Sequence, residues 1–297
     1  RPLDIRSVSK GLSLNDCYWF KQEGSSDSFD SVNLYDNRFS RVLGQIAFTG
    51  YGSSNVSGLT SSPEFTTNGM LPKCWRRIDG KILLYKGGTM GASNTGNEPY
   101  SEFYAYQIGR ILGVNAVPYS LSKWKNTLCS TCELFTSKDV SFVPVGRIVR
   151  SGGMQAVREL GTEFENALDD MLVFDALIFN TDRHYGNFGF LIDSCTNRII
   201  APAPLFDHGN SLFNFAGADA LKSRESFLKY AKAQMPCVYD AYVSEAKNVL
   251  THERGNAVRK LLDFRLPRHS RYNLSRERLS LIEYAVSQRA AELLEEQ

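Results

Sequence analysis

The sequence predicts an α+β protein of two lobes, β-rich in its first half and mainly helical in its second. Three observations carry this. Residues 73–86, KCWRRIDGKILLYK, are two β-like runs joined by Asp79-Gly80, a pair that favours a tight two-residue hairpin turn. The stretch EFENALDDMLVFDALIFN sets Leu168, Leu172, Ala176 and Phe179 on one helical stripe, which Met171, Phe174 and Ile178 widen, as in a helix buried over much of its circumference. Most of 221–297 reads helical, ending in LSLIEYAVSQRAAELL with apolar positions 279, 282, 286, 290 and 293. With 297 residues, 42% of them hydrophobic, the chain can fill a real core. The lobe boundary is expected at 135/136, giving a β-rich N-terminal lobe over 1–135 and a mainly helical C-terminal lobe over 136–297.

Taken in order, residues 44–72 are rich in Gly, Ser, Thr and Asn and read as loop. The second strand of the hairpin alternates Ile82, Leu84 and Lys86 on one face with Leu83 and Tyr85 on the other, so Lys86 ends an apolar face. Across the turn, Lys73 falls opposite Lys86 and Trp75 opposite Leu84. After the loop GGTMGASNTGN, EPYSEFYAYQIGRILG has Pro in its first turn and Gly113 just past its end, with Tyr104, Ile108 and Ile111 at helical spacing. The runs NAVPYSLSKW, TLCSTCELF and SFVPVGRIV are β-prone. Beyond the buried helix, NFGFLID and RIIAPAP form a hairpin across SCTNR. No internal repeat is present.

Charge narrows the function. Lys plus Arg number 34 against 32 Asp plus Glu, a net charge of +2, so no long-range field draws the chain to a membrane, and direct nucleic-acid binding is not expected. No apolar run approaches the ~20 residues needed to span a bilayer, RPLDIRSVSK lacks the apolar core of a secretory signal, and a cytoplasmic location is expected. Among six cysteines, Cys129 and Cys132 form the single CxxC; without a second pair they read as reduced thiols rather than a zinc or redox site. The basic stretch RLPRHSRYNLSRER, 265–278, reads as a solvated inter-helix segment, with an acidic or nucleic-acid partner as the alternative.

The chemistry concentrates in residues 180–191, NTDRHYGNFGFL, which follow the buried helix directly. Asp182 and Asn187 lie five apart in a loop, a hairpin of about twenty residues follows, and Asp207 comes just after it. Phosphoryl transfer needs such a set: an acidic group that takes the proton of the attacking hydroxyl, and an amide oxygen with a second carboxylate to hold Mg²⁺ against nucleotide phosphates. Asp182 suits the first role, Asn187 and Asp207 the second, and magnesium needs few protein ligands because it keeps part of its water shell. Upstream, Lys86 would neutralise phosphate oxygens with Glu102 holding it in place and Glu98 in reserve. The segment TTNGMLPK, 66–73, is placed to drape backbone N–H groups over the phosphates, and Lys73 adds a second charge. Asp175, inside the buried helix, is expected to pair with backbone N–H groups of the 180–187 loop. Arg183 and His184 read as orienting groups, with His184 also counted toward the nucleotide site.

The combination NTDRHYGN and APLFDHGNSL, with NGMLPK and a strand lysine upstream, resembles the HipA-type serine/threonine kinases, over roughly residues 55–215. That resemblance implies a bilobal fold related to protein kinases and phosphatidylinositol kinases. It further implies ATP and Mg²⁺ as cofactors, a protein Ser/Thr acceptor, Asp182 as base, Asn187 and Asp207 as metal ligands, and Lys86 as the phosphate lysine. Glu133, Leu134 and Phe135 would form the adenine hinge. Thr66, Thr67, Asn68 and Gly69 would belong to the nucleotide loop, where Thr66 or Thr67 could become autophosphorylated. Longer bacterial members dock a DNA-binding antitoxin through an extra N-terminal subdomain. About fifty residues precede the nucleotide loop here, so a short stand-alone member is expected, with a regulatory protein partner left open. Small-molecule or lipid kinases, or a non-catalytic nucleotide-binding module, are the alternatives.

Overall fold

The computed structural model describes residues 9–50, 61–67 and 69–295. Strands β1 (Lys73–Ile78), β2 (Lys81–Gly87), β3 (Ser120–Trp124) and β4 (Thr127–Glu133) make an antiparallel sheet in the order β1-β2-β4-β3. Asp79 and Gly80 have φ of 50° and 80°, the left-handed pair that a type I′ turn requires. Lys73 therefore faces Lys86 and Trp75 faces Leu84, the expected register. A slip of one residue would turn Lys86 to the opposite face of the sheet, so this turn decides where the ammonium goes.

The segment ahead of the sheet differs from expectation. Besides a single turn, α1 (Phe29–Val32), it forms α2 (Arg41–Thr49), so 44–49 is helix rather than loop. Ser40 caps α2 by accepting from the Leu43 N–H, and Gly50 closes it at φ 71°. Tertiary packing overrides the Gly-rich composition: Phe48 is buried with Cys74 and Tyr85, and Gly44 lets the helix lie close to β1. Residues Leu12, Leu14 and Leu34 pack on Ile82. The Leu14 and Asn15 carbonyls accept bonds from the Thr136 hydroxyl and the Phe142 N–H, tying this segment to the chain beyond β4.

Helix α3 (Glu98–Leu112) starts with Pro99 in its first turn and ends at Gly113, φ 77°, whose N–H bonds the Gly109 carbonyl. Its buried Tyr104 and Ile108 lie between the sheet and the central helix, while Gly109 admits the Phe174 ring at van der Waals distance. After β4, β5 (Val140–Pro144), β6 (Gly189–Asp193) and β7 (Ile199–Pro202) build a second antiparallel sheet, with β6 and β7 as the expected hairpin. The expected strand over SFVPVGRIV stops at Pro144. The one-turn α4 (Val145–Ile148) replaces its second half, because the Val145 and Gly146 N–H groups turn to the carbonyls of Phe188 and Tyr185. A short α5 (Gly153–Arg158) precedes the predicted central helix, α6 (Thr162–Ile178).

Leu168, Met171, Leu172, Phe174, Ala176 and Ile178 of that helix, and Phe179 at its C-cap, are all buried, which confirms the wide apolar stripe. They pack with the helices that follow: α7 (Arg224–Lys232), α8 (Tyr242–Asn248), α9 (His252–Arg259) and α10 (Arg276–Leu294). Residues 203–206 leave β7 and run beside 115–117, with Val117 N–H to Leu205 O and Leu205 N–H to Asn115 O both at 2.8 Å. Asp207 is delivered beneath the first sheet by this pairing. Among the described residues no helix is long and apolar enough to cross a membrane.

A side chain at Gly189 would put its Cβ 2.2 Å from the Val143 carbonyl oxygen. Gly189→Ala should therefore destabilise the protein by about 1–3 kcal/mol, the usual cost of forced overpacking, read as a lowered denaturant midpoint. Gly217→Ala, with nothing within 4 Å of the added methyl, should change it by no more than about 0.5 kcal/mol.

Candidate active site

Lys86 is 7% exposed at the end of β2. Its Nζ donates to Glu102 Oε1 at 2.9 Å and to Asp207 Oδ1, so strand, helix α3 and the segment after β7 meet on one ammonium. Burial would lower the lysine, but the carboxylates of Glu102 and Asp207 overcome this and hold it well above the ordinary lysine range. Burial likewise would raise Asp207, yet Lys86, with help from Lys73, pulls it down to about 2, so it is a carboxylate at neutral pH. Burial pushes Glu102 above the ordinary carboxylate range, opposed by Lys86 and by the acceptor bond from the His208 N–H at 2.8 Å. The choice between the two glutamates is settled by geometry. Glu98, one turn earlier, accepts instead from the Thr89 N–H at 3.1 Å and the Thr89 hydroxyl.

The loop after α6 is built on Arg183, which is fully buried. All five guanidinium N–H donors are used. Nε and one Nη2 proton form a fork onto Asp175, at 2.9 and 3.0 Å; Nη1 bonds the carbonyls of Asn187 and Phe206, at 2.9 and 2.7 Å; the remaining Nη2 proton meets His208 Nδ1 at 3.0 Å. The expectation that Asp175 pairs with backbone N–H groups is thus corrected: its partners are the side chains of Arg183 and Asn180. Because Arg183 can only donate, His208 Nδ1 accepts and the ring proton sits on the buried Nε2. Burial, with Arg183 beside it, holds His208 well below the ordinary histidine range.

Asp182 Oδ2 accepts from Asn210 Nδ2 at 2.9 Å, and the Asp182 carbonyl accepts from Asn187 Nδ2 at 2.9 Å. Asn210 lies three residues past Asp207 and its own carbonyl takes the Thr181 N–H. Asp182, Asn187 and Asp207 are thereby joined through Arg183 and Asn210. Asn210, in the quoted APLFDHGNSL, was not singled out from sequence; nor was Tyr119, in NAVPYSLSKW, whose hydroxyl accepts the Asp207 N–H at 3.2 Å.

Other predicted positions divide. Lys73 pairs across the hairpin with Lys86; burial and the Lys86 charge lower its pKa, and Asp207 and Glu102 oppose this. Gly69, at φ 108°, leaves room that a Cβ would take from Lys73 Nζ. Asn68 lies outside the described residues. Thr66 and Thr67 direct their hydroxyls to the carbonyls of Leu12 and Pro63, and Thr67 accepts from the Trp75 indole; among the described residues neither contacts the Lys86 group. At the end of β4, Glu133 pairs with Lys81 on the surface, the Leu134 N–H bonds the Ile82 carbonyl, and Phe135 packs against Phe142 and Phe206, next to Asp207. The His184 ring is exposed, its Nδ1 accepting the Gly186 N–H, while its backbone N–H bonds the Asp182 carbonyl at 2.9 Å and its carbonyl accepts the Asn187 N–H at 2.8 Å. Cys129 and Cys132 are buried free thiols, both pushed up to about 12 by burial, as the reduced reading expects. In 265–278, Arg265, Arg268, Arg271 and Arg276 are exposed.

Antiparallel sheet, buried strand lysine paired to a helical glutamate, and a polar loop set against a second carboxylate agree with the kinase-like fold that the motifs lead one to expect. No family model matches the chain. Over 135 residues, 39% of the chain, it is 28% identical to the serine/threonine-protein kinase CtkA of Helicobacter pylori (strain J99 / ATCC 700824), spanning 41% of that relative's length. The crystal structure of the Helicobacter pylori proinflammatory kinase CtkA superposes with a TM-score of 0.56 at 18% identity, covering 75% of this chain and 91% of that one. HipA in a Shewanella oneidensis MR-1 toxin–antitoxin complex with HipB and operator DNA gives 0.43 at 13% identity, covering 76% and 63%. The kinship with CtkA bears out the family resemblance read from the motifs.

Two outcomes follow. Arg183→Met should cost about 3–5 kcal/mol of unfolding free energy, because it strands a buried carboxylate; adding Asp175→Leu should recover part of the loss, measured by chemical denaturation. His208 has a folded pKa below its unfolded value near 6.5. Its contribution to stability is therefore complete above that pH and lost as pH falls, at about 1.4 kcal/mol per unit. His208→Gln should flatten that part of the stability profile.

Proposed function

We propose that the chain transfers the γ-phosphoryl group of Mg·ATP to a serine or threonine hydroxyl of a protein. The observation that carries this reading is the convergence of Lys86, Glu102 and Asp207 beside a loop that presents Asp182 and Asn187. Kinship with CtkA supports it.

In this reading Lys86, kept charged by its two carboxylates, binds phosphate oxygens, with Lys73 adding charge from the neighbouring strand. The residues suit a hard divalent cation. Asp207 is ionised, and its Oδ2 and the Oδ1 of Asn187 accept no hydrogen bond among the described residues. Those two oxygens would hold Mg²⁺, which would supply charge neutralisation at the phosphates. Asp182 takes the proton of the acceptor hydroxyl as that oxygen bonds to phosphorus. The connection at Glu133, Leu134 and Phe135 receives the adenine. It marks the lobe boundary at 135/136, a placement favoured by the change from the first sheet, ending in β4, to the second, starting with β5. The hydroxyls of Thr66 and Thr67 would have to leave their carbonyl partners to be phosphorylated.

Asp182→Ala should leave Mg·ATP affinity within several-fold of wild type and reduce transfer by about 10²–10⁴-fold. Asp207→Ala should abolish metal-dependent nucleotide binding in calorimetry. After incubation with Mg·ATP, intact-mass and peptide mass spectrometry should find phosphate on Thr66, Thr67 or a nearby serine. Tight nucleotide binding by wild type with no transfer to any acceptor would establish a binding module instead.

A further inference from the structure

We infer that Asn210, backed by Asn214, is a positioning residue that selects which oxygen of Asp182 acts as the base. This rests on the kinase reading above and deepens it. The Asp182 carboxylate accepts one side-chain hydrogen bond among the described residues, from Asn210 Nδ2 to Oδ2 at 2.9 Å, and its Oδ1 accepts none. A carboxylate can only accept, so Asn210 must present its NH₂ to Asp182 and turn its Oδ1 the other way. There it accepts from Asn214 Nδ2 at 3.1 Å. Asn214 is 6% exposed, and its carbonyl is fixed in turn by Asn97 at 2.9 Å and by Arg278 at 3.2 Å. Both amide orientations therefore follow from the carboxylate end of the chain, and the last link rests on Asn97, the N-cap of α3, and on α10.

A carboxylate rotates easily about its terminal torsion, whose preference is broad and two-fold. Engaging Oδ2 stops that rotation and leaves Oδ1 with its lone pair available. In the transfer the acceptor oxygen bonds to the γ-phosphorus, the bond from phosphorus to the β-bridging oxygen breaks with its electron pair leaving on ADP, and the hydroxyl proton passes to Asp182 Oδ1. Asn210 touches none of the reacting atoms. Its contribution is geometric, and small misplacements of a reacting group cost up to about a hundredfold in rate.

The test uses the full chain, γ-labelled Mg·ATP and casein as a generic acceptor. Asn210→Asp keeps the shape and removes the donor; Asn210→Ala removes both. Each should lower kcat about tenfold to a hundredfold, with the Kd for Mg·ATP within about threefold and the melting temperature nearly unchanged. Asn214→Ala should have a smaller effect, and the double variant N210A/N214A should be no worse than N210A, since the two act in series. In an Asp182→Ala background, N210A should add nothing. Turnover of N210D and N210A within about twofold of wild type, or losses that add fully to that of D182A, overturns the inference while the kinase reading stands. Wild-type turnover by D182A, or none by the wild type, overturns both.

Discussion

One guanidinium holds the site together. Arg183 lies fully buried and spends all five donors on three pieces of chain: Asp175 in the central helix, the carbonyl of Asn187 in its own loop, and the Phe206 carbonyl with His208 on the segment after the second hairpin. Burying a charge is expensive unless it is paired and every proton is satisfied. Here both conditions hold. The cost is met by fixing the loop that carries Asp182 and Asn187 against the segment that carries Asp207. Lysine could not replace it, because a point charge with three donors has no planar fork to span a carboxylate and two carbonyls at once.

The lysine cluster stands on that foundation from the other side. Lys86 reaches Asp207 and Glu102, and Glu102 reaches back to the His208 N–H. His208 itself touches Arg183. Two ionic groups, one anchored in the first sheet and α3 and the other in the central helix, thus share a single short stretch of backbone, 206–208. Further along that stretch Ser211 O accepts the Ser101 hydroxyl and Asn214 O accepts the Asn97 amide, so α3 is held at its N-terminal end. These contacts orient Glu102 toward the lysine.

Much of this was legible because its signals are local. The hairpin register was readable from Asp79-Gly80 and a period of two, since the turn type determines which residues face each other. The central helix was readable from an apolar stripe too wide for a surface helix. The clustering of Asp182, Asn187 and Asp207 was readable because two contiguous motifs and one hairpin span it. What sequence left open depends on rotation or on distant neighbours. Glu98 and Glu102 sit on one helix face, four residues apart, and only the packing of α3 aims the second at Lys86. Asp175 found a side-chain partner eight residues on rather than backbone. Asn210 carries no signature of its own, since an amide gains meaning from what it faces. Helix α2 was hidden by its Gly-rich surroundings and exists through the Phe48 contact with the sheet.

Backbone geometry around the site has an evolutionary consequence. Phe179, Asp207, Leu212 and Phe213 all adopt left-handed φ, at 52°, 57°, 47° and 61°. Each such non-glycine residue costs on the order of 1 kcal/mol or more. At a position chosen for durability alone, glycine would relieve that cost. At 207 this route is closed, because glycine carries no carboxylate for Lys86. A lineage under heat selection would have to gain its stability elsewhere and leave this corner of the molecule tense.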